Sequence, residues 1–241
     1  MANNYFQFKK FTVRQDKCAM KVSTDACIQG AWAARYFSKH TIQHVLDIGT
    51  GTGLLSLMLA QQLSTAAISA IEINEQACEQ ARENFNLSPW HNRLDAQHSS
   101  LQNFMLGNEG KYDVIICNPP FFHNQLQSAQ KERNDARHSV SLDKEQLAIG
   151  VSTLLTREGS CCVLYPESEW NDWLRVAKKY GLFAEAILKI KPKLNTPPNR
   201  VIGIFSKQKQ TVTESEFIIY HAEKNYTAQF IELMQSYYLN L

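Results

Sequence analysis

Val45-Leu46-Asp47-Ile48-Gly49-Thr50-Gly51-Thr52-Gly53 is the stretch on which the fold turns. Its opening residues, with His44 before them, are apolar apart from one acid and read as a short buried strand. Three glycines at alternate positions then allow a sharp turn and a close approach of backbone to a ligand, where a Cβ would collide. Residues 54–63 follow with apolar side chains on nearly every turn, a helix whose first N–H groups are left without intrahelical partners. A dinucleotide fingerprint GxGxxG would need glycine at 54, where Leu54 stands. No GK[ST] follows to make a phosphate loop. What remains is D-x-G-x-G-x-G, with Asp47 at a strand end.

Outward from this unit the chain alternates. Upstream, residues 5–22 interleave aromatics and cations, with Phe6/Phe8 and Phe11/Val13 alternating, which reads as a short hairpin or edge strands. Ser23-Thr24-Asp25 supply helix-cap chemistry before a helix over 26–37. Downstream, strands over 67–73, 93–98 and 112–117 alternate with helices over 75–85 and 101–106. Residues 125–139 are polar, charged and without periodicity, hence a mobile loop. A helix over 143–155, a strand over 160–165 and a helix over 167–180 closed by Gly181 come next. Strands over 183–190 and 201–205 flank a Pro-rich segment, and a further short strand over 217–220 precedes a closing helix over 226–238. This order predicts an α/β domain with a mostly parallel sheet and helices on both faces. One domain over 1–241 is expected, with a capping segment at 1–40 and the core with its C-terminal helix at 41–241.

Bulk properties narrow the function class. The 241 residues suit one large α/β domain, and a net charge of +2 excludes a globally basic protein. No apolar run reaches membrane-spanning length, and the N-terminus lacks the apolar core of a secretory signal, so a cytoplasmic location is expected. The six cysteines contain no CxxC pair and the histidines form no cluster, so no metal site is expected. Charge is nonetheless uneven. Lys9, Lys10, Arg14, Lys17 and Lys21 stand against Asp16 alone, and Lys189, Lys191, Lys193, Arg200, Lys207 and Lys209 have no acid among them. Two such stretches suggest a local anionic partner such as RNA.

A ligand carrying positive charge explains Asp47 better than a pyrophosphate does. S-adenosylmethionine has a sulfonium, an α-ammonium and a ribose diol. Asp47 would lie near the ammonium, directly or through water, and Glu72 at the next strand's end would accept the ribose hydroxyls. A hydrogen bond to a charged acceptor contributes roughly 1.5–3 kcal/mol net, enough to fix orientation. At the end of the strand over 112–117 stands Asn118-Pro119-Pro120-Phe121. Both prolines lack an N–H and have nearly fixed φ, so the carbonyls around them are held in place. Asn118 adds a side-chain acceptor and Phe121 a flat face, a combination suited to gripping an amino group on a ring.

These residues resemble a class I S-adenosylmethionine-dependent methyltransferase, with the Rossmann-like, mostly parallel seven-stranded sheet and small N-terminal strand/helix extension that the resemblance implies. Asp47–Gly53 is similar to the glycine-rich motif, Glu72 to the acidic ribose ligand, and Asn118–Phe121 to the [NDS]-P-P-[YFW] motif of amino-group methyltransferases. Cys18-Ala19-Met20-Lys21-Val22-Ser23-Thr24-Asp25, Asn86-Leu87-Ser88-Pro89-Trp90, Ala136-Arg137, Pro198-Asn199-Arg200-Val201 and the ending from Asn225 resemble the tRNA(Val) adenine-37 N6-methyltransferase family over essentially the whole chain. The resemblance implies S-adenosylmethionine as cofactor, the anticodon loop of tRNA(Val) as partner, and no obligate protein partner. Cofactor contacts are implied at Thr24, Asp25, Asp47, Gly49, Thr50, Gly51, Glu72, Ile73, Ser100, Leu101 and Asn118. Asn118, Pro119, Pro120 and Phe121 are implied as the catalytic set. Asn118 and the Pro119 carbonyl would accept the two N–H groups of adenine N6, and Phe121 would stack on the base. Arg137 and Arg200 are the expected phosphate contacts. One departure stands out: His98-Ser99-Ser100-Leu101 carries a serine where the family usually places an aspartate, so cofactor affinity is expected to be weaker than in a Ser100→Asp variant.

Three other readings share parts of this pattern. The Asn-Pro-Pro signature also serves enzymes that methylate a protein glutamine, but those carry an extra helical domain for which the residues before Asp47 leave too little room. A DNA adenine or rRNA guanine methyltransferase would show a similar loop. An RNA-binding module without turnover would not need Asp47, Glu72 and Asn118 together.

Overall fold

The computed structural model describes residues 3–108, 111–119, 142–221 and 225–241. The segment expected as a loop over 125–139 lies outside them. Tyr5–Gln7 (β1) and Thr12–Arg14 (β2) pair antiparallel as a small separate sheet. Thr24–Phe37 (α1) begins two residues before the sequence suggested. Ser23 caps it, its hydroxyl accepting from the Ala26 N–H at 3.3 Å. His44–Ile48 (β3), Leu54–Gln62 (α2), Ala67–Glu72 (β4), Glu75–Asn86 (α3), Leu94–His98 (β5), Leu101–Met105 (α4) and Tyr112–Cys117 (β6) then alternate as their patterns require. Beyond them come Lys144–Leu154 (α5), Leu155–Pro166 (β7), Glu167–Lys179 (α6), Phe183–Lys193 (β8), Arg200–Ser206 (β9), Thr213–Tyr220 (β10) and Ala228–Met234 (α7).

The main sheet has eight strands in the order β10-β8-β9-β7-β6-β3-β4-β5. Only β9 runs antiparallel to its neighbours; every other pairing is parallel. Seven of these strands are the expected sheet. The eighth, β10, lies on the β8 edge and is four residues longer than its legible part, because Thr213-Glu214-Ser215-Glu216 are polar and exposed.

Alternate residues of each central strand feed opposite layers. Val45, Val114 and Ile116 enter the layer shared with α1, α2, α3 and α7. Leu46, Ile48, Ile115 and Cys117 enter the layer of α4, α5 and α6. The N-terminal hairpin is sewn to the first layer through Phe8, Phe11 and Val13, with Phe8 stacked on Phe11 at 4.5 Å. The Lys9 N–H donates to the Tyr237 carbonyl at 2.8 Å, clasping the two ends of the chain together. Strand order reverses between β3, which leads toward β4, and β6, which leads toward β7. A crevice at the C-terminal ends of the strands is the usual ligand site at such a switch point. Among the described residues, no helix is long and apolar enough to cross a membrane.

Candidate active site

A cavity of about 480 Å³ opens at that switch point. Gly49 and Gly51 form one wall, Glu72 and Ile73 at the end of β4 a second, and Ser100 and Leu101 at the start of α4 a third. Asn118 and Pro119, just past β6, close the side facing the glycine turn. Residues 17–20 of the N-terminal segment lie across it as a strap, which the sequence did not indicate.

The turn needs its glycines for two different reasons. Gly51 has φ 55°, and a Cβ there would meet nothing within 4 Å; the backbone bares itself to the cavity. Gly53 has φ 82°, and a Cβ there would lie 2.5 Å from the Phe85 ring, so it lets α2 start hard against α3. Glu72 braces the turn from the next strand. One carboxylate oxygen accepts from the Gly51 N–H at 3.0 Å and the other from the Asn74 N–H at 2.9 Å. Each oxygen retains a further lone pair.

Asp47 sits beneath the turn and does not reach the cavity wall. It is fully buried, and its Oδ2 accepts from the Thr50 hydroxyl at 2.7 Å, the Ser56 hydroxyl at 2.7 Å and the Ser56 N–H at 3.2 Å. It thereby caps α2, whose N-terminal residue Gly53 has no side chain to do so. Its Oδ1 is buried without a hydrogen-bond partner. Burial raises its carboxyl to about 6, against the lowering effect of those hydrogen bonds and with a smaller raising effect from Glu72.

Asn118 carries a further unpartnered acceptor. Its Oδ1 is buried and makes no hydrogen bond, although the residue lines the cavity. A buried carbonyl oxygen without a donor is costly, and the residue that carries it lines a space sized for a ligand. Behind it, Gln29 of α1 donates through Nε2 to the Cys117 carbonyl at 2.9 Å. The start of the strap and the chain leading into it are held by two amides of α3 that are fully buried. Asn84 accepts from the Arg14 N–H at 2.9 Å and donates to the Arg14 and Thr52 carbonyls, both at 2.8 Å. Gln80 accepts from the Lys17 N–H at 3.1 Å.

A sequence model of the methyltransferase small domain matches residues 32–148. The tRNA1(Val) (adenine(37)-N6)-methyltransferase of Christiangramia forsetii is 39% identical over 243 residues, covering all of both chains. Its counterpart from Cytophaga hutchinsonii is 40% identical over 242 residues, again covering all of both. Among solved structures, a predicted O-methyltransferase from Agrobacterium tumefaciens superposes with a TM-score of 0.68 at 15% identity, over 90% of this chain and 100% of that one. The chain belongs to the tRNA1(Val) (adenine(37)-N6)-methyltransferase family. Its fold is that of the S-adenosylmethionine-dependent methyltransferases.

The structure brings together most of the residues expected to form a methyltransferase site and leaves some apart. Gly49, Gly51, Glu72, Ile73, Ser100, Leu101, Asn118 and Pro119 share the cavity. Thr50 lies under the turn with its hydroxyl on Asp47. Thr24 opens α1 away from the cavity wall. Asp25 there pairs with Arg200 at 3.2 Å. Burial raises the Asp25 carboxyl, opposed by the Arg200 charge. Arg200, expected on a phosphate, is thus engaged within the protein, with a side chain 21% exposed. Pro120, Phe121 and Arg137 lie outside the described residues. Gln29, Gln80, Asn84 and the strap were missed. The one signal available was polar side chains at 80 and 84 on the face of α3 that also buries Ala77, Ala81 and Phe85.

Proposed function

We propose that this chain transfers the methyl group of S-adenosylmethionine to N6 of adenine 37 in the anticodon loop of tRNA(Val), acting as one methyltransferase domain in the cytoplasm. The observation that carries the reading is the unpartnered, buried Oδ1 of Asn118 on the wall of a cavity built by a glycine turn and an acidic strand end. The residues present fit the cofactor. The glycine turn leaves room where a Cβ would project, Glu72 has lone pairs to spare for a ribose diol, and the orphan Oδ1 awaits an N–H donor.

Bound S-adenosylmethionine supplies an electrophilic methyl on a sulfonium. Asn118 contributes the acceptor. An exocyclic amine donating to Oδ1 loses conjugation with its ring and turns its lone pair out of plane, which makes it a better nucleophile. Pro119 has no N–H to compete for that acceptor. Glu72 and the Gly49–Gly51 turn fix the donor side, so positioning lowers most of the barrier. Asp47 acts from beneath, stabilising the turn through Thr50 and Ser56 rather than by touching the ligand. A base in an anticodon loop is already unpaired, so its presentation costs less than flipping one from a duplex.

The test is methyl transfer from labelled cofactor to unfractionated tRNA, total DNA and protein extract side by side, with wild type and Asn118→Ala. Incorporation into tRNA as N6-methyladenosine, abolished by Asn118→Ala with cofactor binding nearly intact, is expected. Incorporation into protein or DNA instead, or retained turnover in the variant, would refute the reading.

A further inference from the structure

The Gln29 amide sits behind the Asn118 loop and is used by nothing in the chemistry above. It is fully buried in α1. Its Nε2 donates to the Cys117 carbonyl at 2.9 Å and reaches the Cys162 carbonyl of the neighbouring strand at 3.5 Å, while its Oε1 is buried without a partner. The orientation follows from the surroundings: the flipped amide would set an oxygen against two carbonyl oxygens. As packing alone, an apolar side chain would serve better here, because a buried acceptor without a donor is a net cost.

We infer that Gln29 is a positioning residue for methyl transfer, holding the peptide plane from which Asn118 projects. This rests on the proposed role of Asn118. The Cys117 carbonyl and the Asn118 N–H belong to one rigid peptide unit. Anchoring its oxygen from the helix side fixes that plane at the last rung of β6, where the pairing of Cys117 with Val163 ends the ladder with β7. Asn118 Oδ1 lies about 3 Å from its own Cα on standard bond lengths, so a tilt of about 20° in the plane displaces the acceptor by about 1 Å. A misplacement of about that size costs on the order of a hundredfold in rate.

The experiment compares wild type, Gln29→Met, Gln29→Glu and Asn118→Ala. Gln29→Met should lower kcat on tRNA by about 10- to 100-fold, with cofactor affinity within about twofold of wild type and the melting temperature preserved. Gln29→Glu has the same shape. Its protonated form still donates to the Cys117 carbonyl, whereas its ionised form repels it. Its kcat should therefore approach wild type at acid pH and fall as pH rises, over a range where wild type is flat. Hydrogen exchange over residues 112–119 needs no turnover and should quicken in Gln29→Met while exchange in α2 is unchanged. A Gln29→Met enzyme with wild-type kcat, or a loss shared equally by kcat, cofactor affinity and melting temperature, would overturn the inference. So would unchanged exchange over 112–119, whatever the enzyme methylates. Absence of methyl transfer by wild type would instead count against the role given to Asn118.

Discussion

Asn84 is the point at which the wall of the cavity can be loosened without touching Asn118. It is fully buried and makes three hydrogen bonds, two to the backbone of Arg14 and one to the Thr52 carbonyl in the glycine turn. Asn84→Leu keeps the volume and removes all three. Each bond is worth about 1 kcal/mol net, and the buried Thr52 carbonyl adds a desolvation cost of about 1–3 kcal/mol. The exposed Arg14 backbone can turn to water instead. Burying the new side chain returns about 1–2 kcal/mol. The balance is a loss of about 2–5 kcal/mol, which for a chain of this size lowers the melting temperature by about 4–20 °C. Function should change unevenly. The strap over 17–20 and the glycine turn both border the cavity, so the dissociation constant for S-adenosylhomocysteine should rise about 10- to 100-fold, while kcat at saturating cofactor stays within about twofold because β6 and its Asn118 loop are undisturbed. Calorimetric titration and initial rates at saturating cofactor give the two numbers. A lowered melting temperature with unchanged affinity would refute the strap as a cofactor wall.

Two further outcomes follow from the same site. Burial holds the Asp47 carboxyl at about 6, above its ordinary value of 3.8, so the folded protein binds more protons than the unfolded chain between those pH values. The stability that Asp47 contributes is therefore complete below pH 3.8 and is lost as pH climbs through 6, on the order of 2–3 kcal/mol. Relative to wild type, Asp47→Asn should gain stability from about pH 4 to about pH 6 and then level off, on top of a pH-independent offset. Denaturant melts showing a constant difference would contradict this. Ser100 caps α4, its hydroxyl accepting from the Asn103 N–H at 3.2 Å. Aspartate caps as well as serine does, so Ser100→Asp should leave stability unchanged while adding a carboxylate to the cavity wall and tightening cofactor binding about three- to tenfold. Equal affinities by calorimetry would remove that idea.

Local signals carried most of the fold and part of the candidate site's lining. β3 and β6 fall at the bounds their apolar runs suggest, since a central parallel strand buried on both faces cannot hide its composition. The glycine turn was legible because glycine is the residue that adopts positive φ most readily, and Glu72 because it stands as an acid at the next strand's end. Asp47 was legible as important and less so in its task. An acid at a strand end reads the same whether it faces a ligand or caps the next helix from below, and only the burial of Asp47 with Ser56 separates the two. Gln29, Gln80 and Asn84 escaped because each acts on backbone more than 30 residues away in sequence. A lone amide in a helix carries no mark of such a partner.

The cationic stretch from Lys189 onward shows how a charge run is resolved by a sheet edge. Lys189 and Lys191 are two residues apart on β8 and so share one face of the strand. Lys189 meets Glu214 at 2.7 Å and Lys191 meets Glu216 at 2.7 Å, both acids standing on β10 with the same two-residue spacing. The run that looked like a surface for an anionic partner is, at these positions, one half of a charged ladder. Its other half is the polar stretch 213–216 that gave no strand signal of its own. Each such pair is worth only about 0.2–1 kcal/mol, but exposed edge residues have no apolar burial to add, so cross-strand pairing is what remains to set their register. Arg200 is drawn inward to Asp25, and Lys207 donates to the Leu155 carbonyl, at the far end of β7 from the cavity. The positive charge of this segment is thereby divided among partners within the protein at opposite ends of the sheet. In the hairpin, by contrast, Lys10 and Arg14 border a concavity with Leu87, and in the strap Lys17 lines the cavity itself.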